Sequence, residues 1–597
     1  MKQKSLEKIR HSLAHVLALA VKNLYPKAKF GVGPIIENGF YYDIDLGKSL
    51  SIESLPKIET EMKKIIKQGL LFKKKELTLK EAKKLFKDLG QSYKVELLKD
   101  LEKYGTTDQN EILNIKSKSV KERKKIVIPK TVSVYQTGDF IDLCRGLHIK
   151  NTKELPLSFK LIKISGAYWR GKETNSMLQR ITGIAFLKEV ELKEYLNQIE
   201  EAEKRDHRKL GKELELFSFH DEGVGFPFFH PKGMILRNIL EDYWKKEHQK
   251  SGYQEVKTPI LLNKSLWLRS GHWDHYKENM YFTKIDNEDY AIKPMNCPGG
   301  MLIYKSSLHS YRDLPLKVGE LGLVHRHELS GVLQGLFRVR CFTQDDAHIY
   351  MTPEQVKDEI KKVIDLTDKI YKKFGFSYHV ELSTKPENSM GSDQIWQKAT
   401  KSLKEALKEK KIDFVVNKGQ GAFYGPKIDF HLKDCLGRTW QCGTIQLDFI
   451  MPEKFDLFYI DKQGKRKRPV MLHRTILGSI ERFIGILIEN YGGEFPLWLA
   501  PVQVAVIPIK EKNVSFAKKV FESVQEKDLR AELWSGEDTL SKKIKKAEEQ
   551  KIPFVLVIGD KEEKSKKVAV RKRKKGDLGA MTITKFCDIL LKEIKKQ

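Results

Sequence analysis

Apolar positions recur at helical intervals from residue 5, and the helix they predict runs into a turn containing Gly31, Gly33 and Pro34. An aromatic strand follows around Phe40, Tyr41 and Tyr42. From about residue 51 to 125 the chain is rich in lysine, with Ile58, Met62, Ile65 and Ile66 at helical spacing, so a helical insert is expected there. Strand-like runs return at Ile126, Val127 and Ile128 and again across residues 157–164. Residues 189–212 are charged and poor in β-branched side chains, which predicts a helical connector. Helices and strands then alternate from about 213 to 497. Beyond the segment 495–501, residues 502–509 and 554–558 read as buried strands separated by helices, an α/β pattern. The expected domains are therefore 1–188, the connector 189–212, 213–497 and 498–597. No internal repeat or low-complexity linker is visible.

Length agrees with this division, since 597 residues exceed what a single core organises and imply three or four domains. Lys and Arg total 110 against 80 Asp and Glu, a net charge of +30 that points to a large polyanionic partner such as a nucleic acid. A lysine-rich surface with no such partner would give the same count. The six cysteines form no C-x-x-C pair, which argues for reduced thiols and a cytoplasmic location. The start, Met1-Lys2-Gln3-Lys4, leads into no apolar run of signal-peptide kind, and the longest apolar stretches are strand-sized. Neither secretion nor membrane insertion is expected.

The most informative segment is residues 323–350, LVHRHELSGVLQGLFRVRCFTQDDAHIY: two strand-like ends around a loop containing Gly331 and Gly335. Arg326 and Glu328, two positions apart at the end of the first strand, share a face. A guanidinium there can fork onto phosphate oxygens while a carboxylate accepts from an exocyclic amine, as a nucleotide requires. Residues 476–489, ILGSIERFIGILIE, place Gly478, Ser479, Glu481 and Arg482 at the start of an apolar helix, where Gly478 permits close approach and Arg482 can neutralise phosphate. Upstream, a helix from Pro231 through Lys246 leads to a strand ending at Pro259. These three segments, in this order, resemble the signature motifs of class II aminoacyl-tRNA synthetases. The resemblance implies an antiparallel β-sheet core flanked by helices, within an α+β multidomain chain, and a homodimer built on the first motif. It also implies that Arg326 holds the α-phosphate of ATP, Glu328 reads adenine, and Arg482 stacks on adenine and meets the γ-phosphate. Mg²⁺ shares the phosphate charge.

Cys297 (in AIKPMNCPGGM), His348 and His473 (in MLHRTILGS) are a possible zinc set, although their separations are too long for a local finger and spacing alone leaves a shared metal open. All three match the zinc ligands of threonyl-tRNA synthetases in their local strings. The chemistry explains the metal. Threonine and valine are nearly isosteric, so shape alone separates them only about a hundredfold, whereas a Lewis acid on the amino group and hydroxyl makes the hydroxyl obligatory. By the same resemblance Met295, Gln344, Asp346, Tyr424, Lys427, Gln441 and Gln446 surround the pocket, with Asp346 accepting from the hydroxyl and Gln441 near the terminal ribose of the tRNA. Catalytic roles are thereby implied for Arg326, Arg482, Lys427 and Gln441, with Ser479 in the ATP site. The implied reaction is activation of L-threonine and its transfer to the 3′ end of tRNA(Thr).

A hydroxyl-demanding metal cannot exclude serine, since one missing methyl is worth roughly 1–3 kcal/mol. Hydrolysis of seryl-tRNA(Thr) at a second site is therefore expected. His11 and His15, at i and i+4 on one helix face, and the Cys144/His148 pair match the editing domain shared by threonyl- and alanyl-tRNA synthetases. In the threonyl type this set is described as metal-free, with histidines positioning water and ribose and with Asp142 and Cys144 in the pocket wall; Tyr42 resembles another pocket position. Residues 500–597 resemble the family's anticodon-binding domain, where Glu562 and Arg571 match positions that touch bases. Lys542, Lys543, Lys545 and Lys546 crowd one helix, and residues 571–575 form a basic run suited to phosphate. Residues 534–539 depart from the family string. The family usually begins with a further small β-rich domain, and His11 arrives too early for it, so that domain is expected to be absent.

Overall fold

The structure, a computed structural model, describes residues 2–109, 111–112, 115, 127–172, 174–387 and 389–596. The chain divides into two compact units, Met1–Glu200 and Glu201–Gln597.

In the first unit the helix Lys2–Leu24 buries Ile9, Leu13, Val16, Leu17 and Ala20, the i, i+4, i+7 stripe of a core-facing helix. That stripe packs with Ile58, Met62 and Ile65 of the helix Leu55–Gln68 and with the antiparallel strands Gly39–Asp45, Phe159–Tyr168 and Met177–Ala185. A second antiparallel sheet joins Lys73–Thr78, Thr131–Thr137 and Phe140–Leu143. The stretch expected to be a helical insert is thus interrupted by a strand. Its sequence, KKKELT, is almost wholly exposed, so there was no apolar alternation to reveal it and backbone pairing carries it. The strand expected at 126–128 begins instead at Thr131; Val127 and Ile128 are exposed coil, and Ile126 lies outside the described residues. The connector is two helices, Glu189–Lys204 and His207–Glu213, the second capped by Asp206, whose carboxylate accepts from the Arg208 N–H.

The second unit is built on an eight-stranded sheet in the order Gln254–Glu255, Leu316–His325, Cys341–Met351, Val470–Thr475, Thr439–Asp448, Lys427–Lys433, Ser377–Ser383, Phe414–Asn417. The six central strands are antiparallel and each edge strand pairs in parallel, as the class II resemblance anticipates for the core. The strand after the helix Pro231–Lys250 is shorter than expected and stops at Glu255, with Pro259 beyond it in coil.

Strand alternation then separates packing from chemistry. Ala347, Ile349, Leu472, Ile445, Leu447, Phe430 and Leu382 face one way, into a core shared with Leu236, Leu240, Val363, Leu403 and Leu487 of four helices. Asp346, His348, His473, Gln446, Thr444 and Asp429 face the other way. The C-terminal region forms a five-stranded sheet in which Ala531–Leu533, Val504–Pro508 and Phe554–Ile558 are parallel, an α/β arrangement as read from the sequence.

Candidate functional site

The polar face of the large sheet holds two adjoining cavities. One, of about 300 Å³, is lined by Met295, Cys297, Arg326, Gln344, Asp346, His348, Tyr424, Gln446 and His473. Cys297 opens the helix Cys297–Lys305, while His348 and His473 are register partners on neighbouring strands, so their rings share a face with centroids 5.0 Å apart. One ligand atom from each of the three lies within 4.8 Å of the others. His473 Nε2 is 3.0 Å from Asp448 Oδ2, which leaves Nδ1 as its ligand atom, and the Ile450 and Met451 N–H groups donate to Asp448 at 2.7 and 3.0 Å. Burial pushes the Cys297 thiol up and the His348 imidazole down. A thiol and two imidazoles, one oriented by a carboxylate, are a donor set that fits zinc. Beside it Asn296 Nδ2 donates to Asp346 at 2.8 Å, yet burial dominates and raises the Asp346 carboxyl to about 6.

The second cavity, about 240 Å³, is lined by Arg326, Glu328, Phe337, Gln344, Gln441, Ser479 and Arg482 among others, and shares Arg326, Gln344, Thr444 and Thr475 with the first. Arg326 Nε donates to the Pro294 carbonyl at 3.2 Å. Arg482 is aimed by two carbonyls, Phe337 O at 2.9 Å and Gln441 O at 3.1 Å. Its helix, Ile480–Tyr491, is capped by Ser479 Oγ, which accepts from the Arg482 N–H at 3.1 Å. Gly478 has φ 81°, and a Cβ there would lie 2.9 Å from the Cys442 carbonyl, so only glycine suits the turn. Glu328 is already paired with Arg338 at 3.0 Å.

Four further residues were not singled out by sequence. Buried Asp345, on the packing face, accepts from the N–H groups of Ile476, Leu477 and Gly478 at 2.9, 2.8 and 2.8 Å and so builds the turn before Arg482. Asp429 takes Lys427 Nζ at 2.5 Å and Gln441 Nε2 at 2.7 Å, which holds Lys427 beside the first cavity's wall without making it part of the lining. Asp448 orients His473. Buried His272 places Nε2 3.0 Å from Met295 Sδ, and burial lowers its pKa to about 3. Lone acids in β-strings such as KIDFHL carry no local signal, and only cross-strand register exposes their roles.

The first unit carries its own cavity, about 440 Å³, lined by His11, His15, Lys94, Asp142 and Cys144 with Gly33 and Gly146. His11 and His15 do share a helix face, and both rings approach His148, at 4.3 and 4.2 Å. Cys144 Sγ lies 3.3 Å from His11 Nε2 and 3.4 Å from His148 Nε2, and accepts from the Gly146 N–H at 3.3 Å. A Cβ at 146 would sit 2.0 Å from His11. Buried Asp142 receives His15 Nε2 at 3.3 Å, an ion pair from Lys94, and the Tyr42 hydroxyl at 2.5 Å. Tyr42 and His148 are therefore behind the cavity wall, not in it. Lys94, hidden in the lysine-rich stretch, was missed. Burial pushes the Cys144 thiol to about 12 and lowers the His11, His15 and His148 imidazoles.

In the C-terminal region Glu562 accepts from the Gly559 N–H at 3.0 Å and Arg571 lies on the strand Val568–Lys572 opposite Asp577. Of the four lysines on the helix Leu540–Glu549, Lys543 is buried, so the expected basic face is smaller than its sequence suggests. The basic run is partly engaged within the chain: Lys572 pairs with Glu593, Arg573 donates to the Lys551 carbonyl and exposed Lys574 pairs with Glu494.

Comparison with known proteins agrees with this geometry. Residues 281–491 match the tRNA synthetase class II core domain (G, H, P, S and T), 503–593 an anticodon binding domain, and 132–182 the threonyl and alanyl tRNA synthetase second additional domain. The threonine–tRNA ligase of Acetivibrio thermocellus is 58% identical over 588 residues, 98% of this chain and 88% of that one. The solved RNA-binding domain of a threonyl-tRNA synthetase from Cryptosporidium parvum superposes with a TM-score of 0.63 at 41% identity, over 65% of this chain and 98% of that one. A Giardia lamblia prolyl-tRNA synthetase shares the fold alone, with a TM-score of 0.53 at 17% identity over 67% of this chain and 80% of that one. With a class II core, an anticodon domain and an editing domain in one chain, the protein belongs to the threonine–tRNA ligases, which charge tRNA with threonine and edit the product.

Proposed function

We propose that the two adjoining cavities bind threonine and ATP side by side, with Arg326 and Gln344 at their shared boundary. The supporting observation is that shared wall: the arginine expected at the α-phosphate also borders the chamber that holds Cys297, His348 and His473. Activation is then an in-line attack of the ionised threonine carboxylate on the α-phosphorus, releasing pyrophosphate, and it needs positioning and charge neutralisation but no general base. Arg326 and Arg482 supply the fixed positive charge, Mg²⁺ travels with ATP, and Ser479 keeps Arg482 at the helix start. Glu328 receives the adenine amine after exchanging its Arg338 contact. Held by Cys297, His348 and His473, a zinc ion would supply a Lewis acid with one side open to the amino group and hydroxyl. Asp346 accepts the hydroxyl proton's hydrogen bond, and Met295, Tyr424 and Gln446 close the chamber around the methyl group. Gln441, fixed by Asp429 together with Lys427, faces the terminal ribose of tRNA(Thr) for the transfer.

In the first unit His11, His15, Asp142 and Cys144, with Lys94, position a water and the ribose of seryl-tRNA. Water oxygen bonds to the acyl carbon and the ribose oxygen leaves with a proton. Tyr42 and His148 brace these groups from behind. Glu562 and Arg571 are proposed to meet the anticodon, and the helix Pro231–Lys250 to form part of a homodimer. No described helix is long and apolar enough to cross a membrane.

The test is metal analysis of dialysed protein alongside threonine-dependent ATP–pyrophosphate exchange. Wild-type protein should retain about one zinc per chain, and Cys297→Ser should lose it with at least about a hundredfold loss of exchange. Retention of both by the variant overturns the assignment.

A further inference from the structure

Outside both cavities, the polar sheet face carries a second convergence of metal-type donors. His379 and Glu381 lie on the strand Ser377–Ser383 and His431 on its neighbour Lys427–Lys433. His379 and His431 are direct register partners, and Glu381 is two residues along, so alternation sends all three side chains to one face. The imidazoles stack with centroids 4.8 Å apart and planes 12° from parallel. The Nε2 atom of each points at the same carboxylate: His379 is 3.6 Å from Oε1 and His431 is 3.6 Å from Oε2 of Glu381.

Those distances bear on two arrangements. A histidine–carboxylate hydrogen bond would close to roughly 2.7–3.2 Å. Two ligands of one tetrahedral ion, with bonds of about 2.0–2.1 Å, stand about 3.3 Å apart. At 3.6 Å both contacts are longer than either value, so no hydrogen bond closes the cluster, and the three donor atoms, all within 4.8 Å of one another, leave room for an ion. Asn417 Nδ2 donates to Glu381 Oε2 at 3.0 Å and fixes the carboxylate, the outer support a metal ligand needs. The His379 side chain is 46% exposed against 19% for His431, so one side of the cluster is open to solvent for entry and for a further ligand.

We propose that His379, Glu381 and His431 form a site for a divalent transition-metal ion, separate from the set at Cys297. Two imidazoles and one carboxylate favour zinc, nickel or copper over magnesium or calcium, which prefer oxygen ligands. Burial, the largest influence on His431, lowers its pKa and keeps it neutral and able to ligate at physiological pH; Glu381 and Asp429 oppose this, while His379 and Lys427 reinforce it. Three protein donors leave a coordination position for water or an anionic oxygen. The site also adjoins the transfer machinery: Glu381 is the register partner of Asp429, and His431 that of Gln441.

The full chain, dialysed free of loosely held metal, is titrated with Zn²⁺ by calorimetry. One further ion per chain should bind, undisturbed by excess Mg²⁺. His431→Ala and Glu381→Gln should each weaken that binding at least about tenfold. Cys297→Ser and His148→Ala should leave it intact. Wild-type crystals soaked in Zn²⁺ should show anomalous scattering between the three side chains, a readout that needs no variant. No further ion bound, unchanged binding in folded His431→Ala and Glu381→Gln, or no anomalous peak at this position would each overturn the proposal.

Discussion

Two clusters of histidine and cysteine sit in the two units, and they differ in how their members treat one another. At Cys297, His348 and His473 no hydrogen bond joins the three among the described residues, and the one charged partner, Asp448, stands behind His473. At His11, His15, Cys144 and His148 the donors are turned on each other: Cys144 Sγ contacts two imidazoles, and His15 is spent on Asp142. The first arrangement gathers three ligand atoms around a common point without bonding them to one another, and a cation can fill that point. In the second the members bond mainly to one another and to Asp142, with only His15 Nδ1 left buried without a hydrogen-bond partner, and they leave a polar wall suited to holding water. Residue type alone does not separate the two, because both are His/Cys sets within 4.8 Å. Mutual bonding does.

The sharpest way to break the contrast is to remove the acid that organises the mutually bonded cluster. Asp142→Asn strands Lys94 in a site where both side chains are almost fully buried. Removing one partner of such a pair costs about 3–5 kcal/mol, so the first unit should melt far earlier and deacylation of seryl-tRNA should fail. Threonine activation, in the other unit, should persist. Unchanged melting would show that the Asp142 network does not hold this cluster together. A smaller effect is expected at the other centre. Asp448→Asn keeps the size of the residue but weakens the orientation of His473, and outer-sphere changes of this kind cost about 10–100-fold in metal affinity. Chelator competition should show zinc lost sooner from the variant, while ATP binding at the neighbouring cavity stays close to wild type. Equal retention of zinc would remove Asp448 from the account.

How much of this was legible beforehand follows the same line. Periodicity placed the helix Lys2–Leu24, because it has a face that must be apolar, while the strand–loop–strand around Arg326 and the start of the helix at Ile480 were read from their local strings. The strand Lys73–Thr78 was invisible since its side chains are exposed and only its backbone is paired. Cys297 and His473, embedded in recognisable strings, could be singled out beforehand, and the structure brings them together with His348. Asp429, Asp448, Lys94 and the His379/Glu381/His431 cluster were not, since each depends on cross-strand register or on an element far away in sequence. Lys543 shows the opposite failure: counted with its exposed neighbours as part of a basic face, it is buried. Composition reports charge, and only packing reports where the charge goes.

The smallest expected effect is an absence of pH dependence, and it tests the mutually bonded cluster most directly. An ordinary histidine changes charge near pH 6.5. In this cluster burial is the largest influence on His11, His15 and His148 and lowers all three, while the like charges of neighbouring imidazoles push His15 and His148 in the same direction. A base whose pKa falls on folding holds its proton less tightly, so its protonation, and the loss of whatever depends on the neutral ring, is displaced to the acid side. The Cys144 thiol, raised to about 12, likewise stays protonated at neutral pH. Seryl-tRNA deacylation should therefore vary less than about twofold between roughly pH 6 and 8, and alkylation of Cys144 should be slow compared with that of a free thiol of pKa about 8.5. A deacylation profile that rises through pH 6.5 would mean that one of these imidazoles titrates normally. The histidines would then be open to solvent, and the distinction between a centre built for a cation and a centre closed upon itself would fail at its second half.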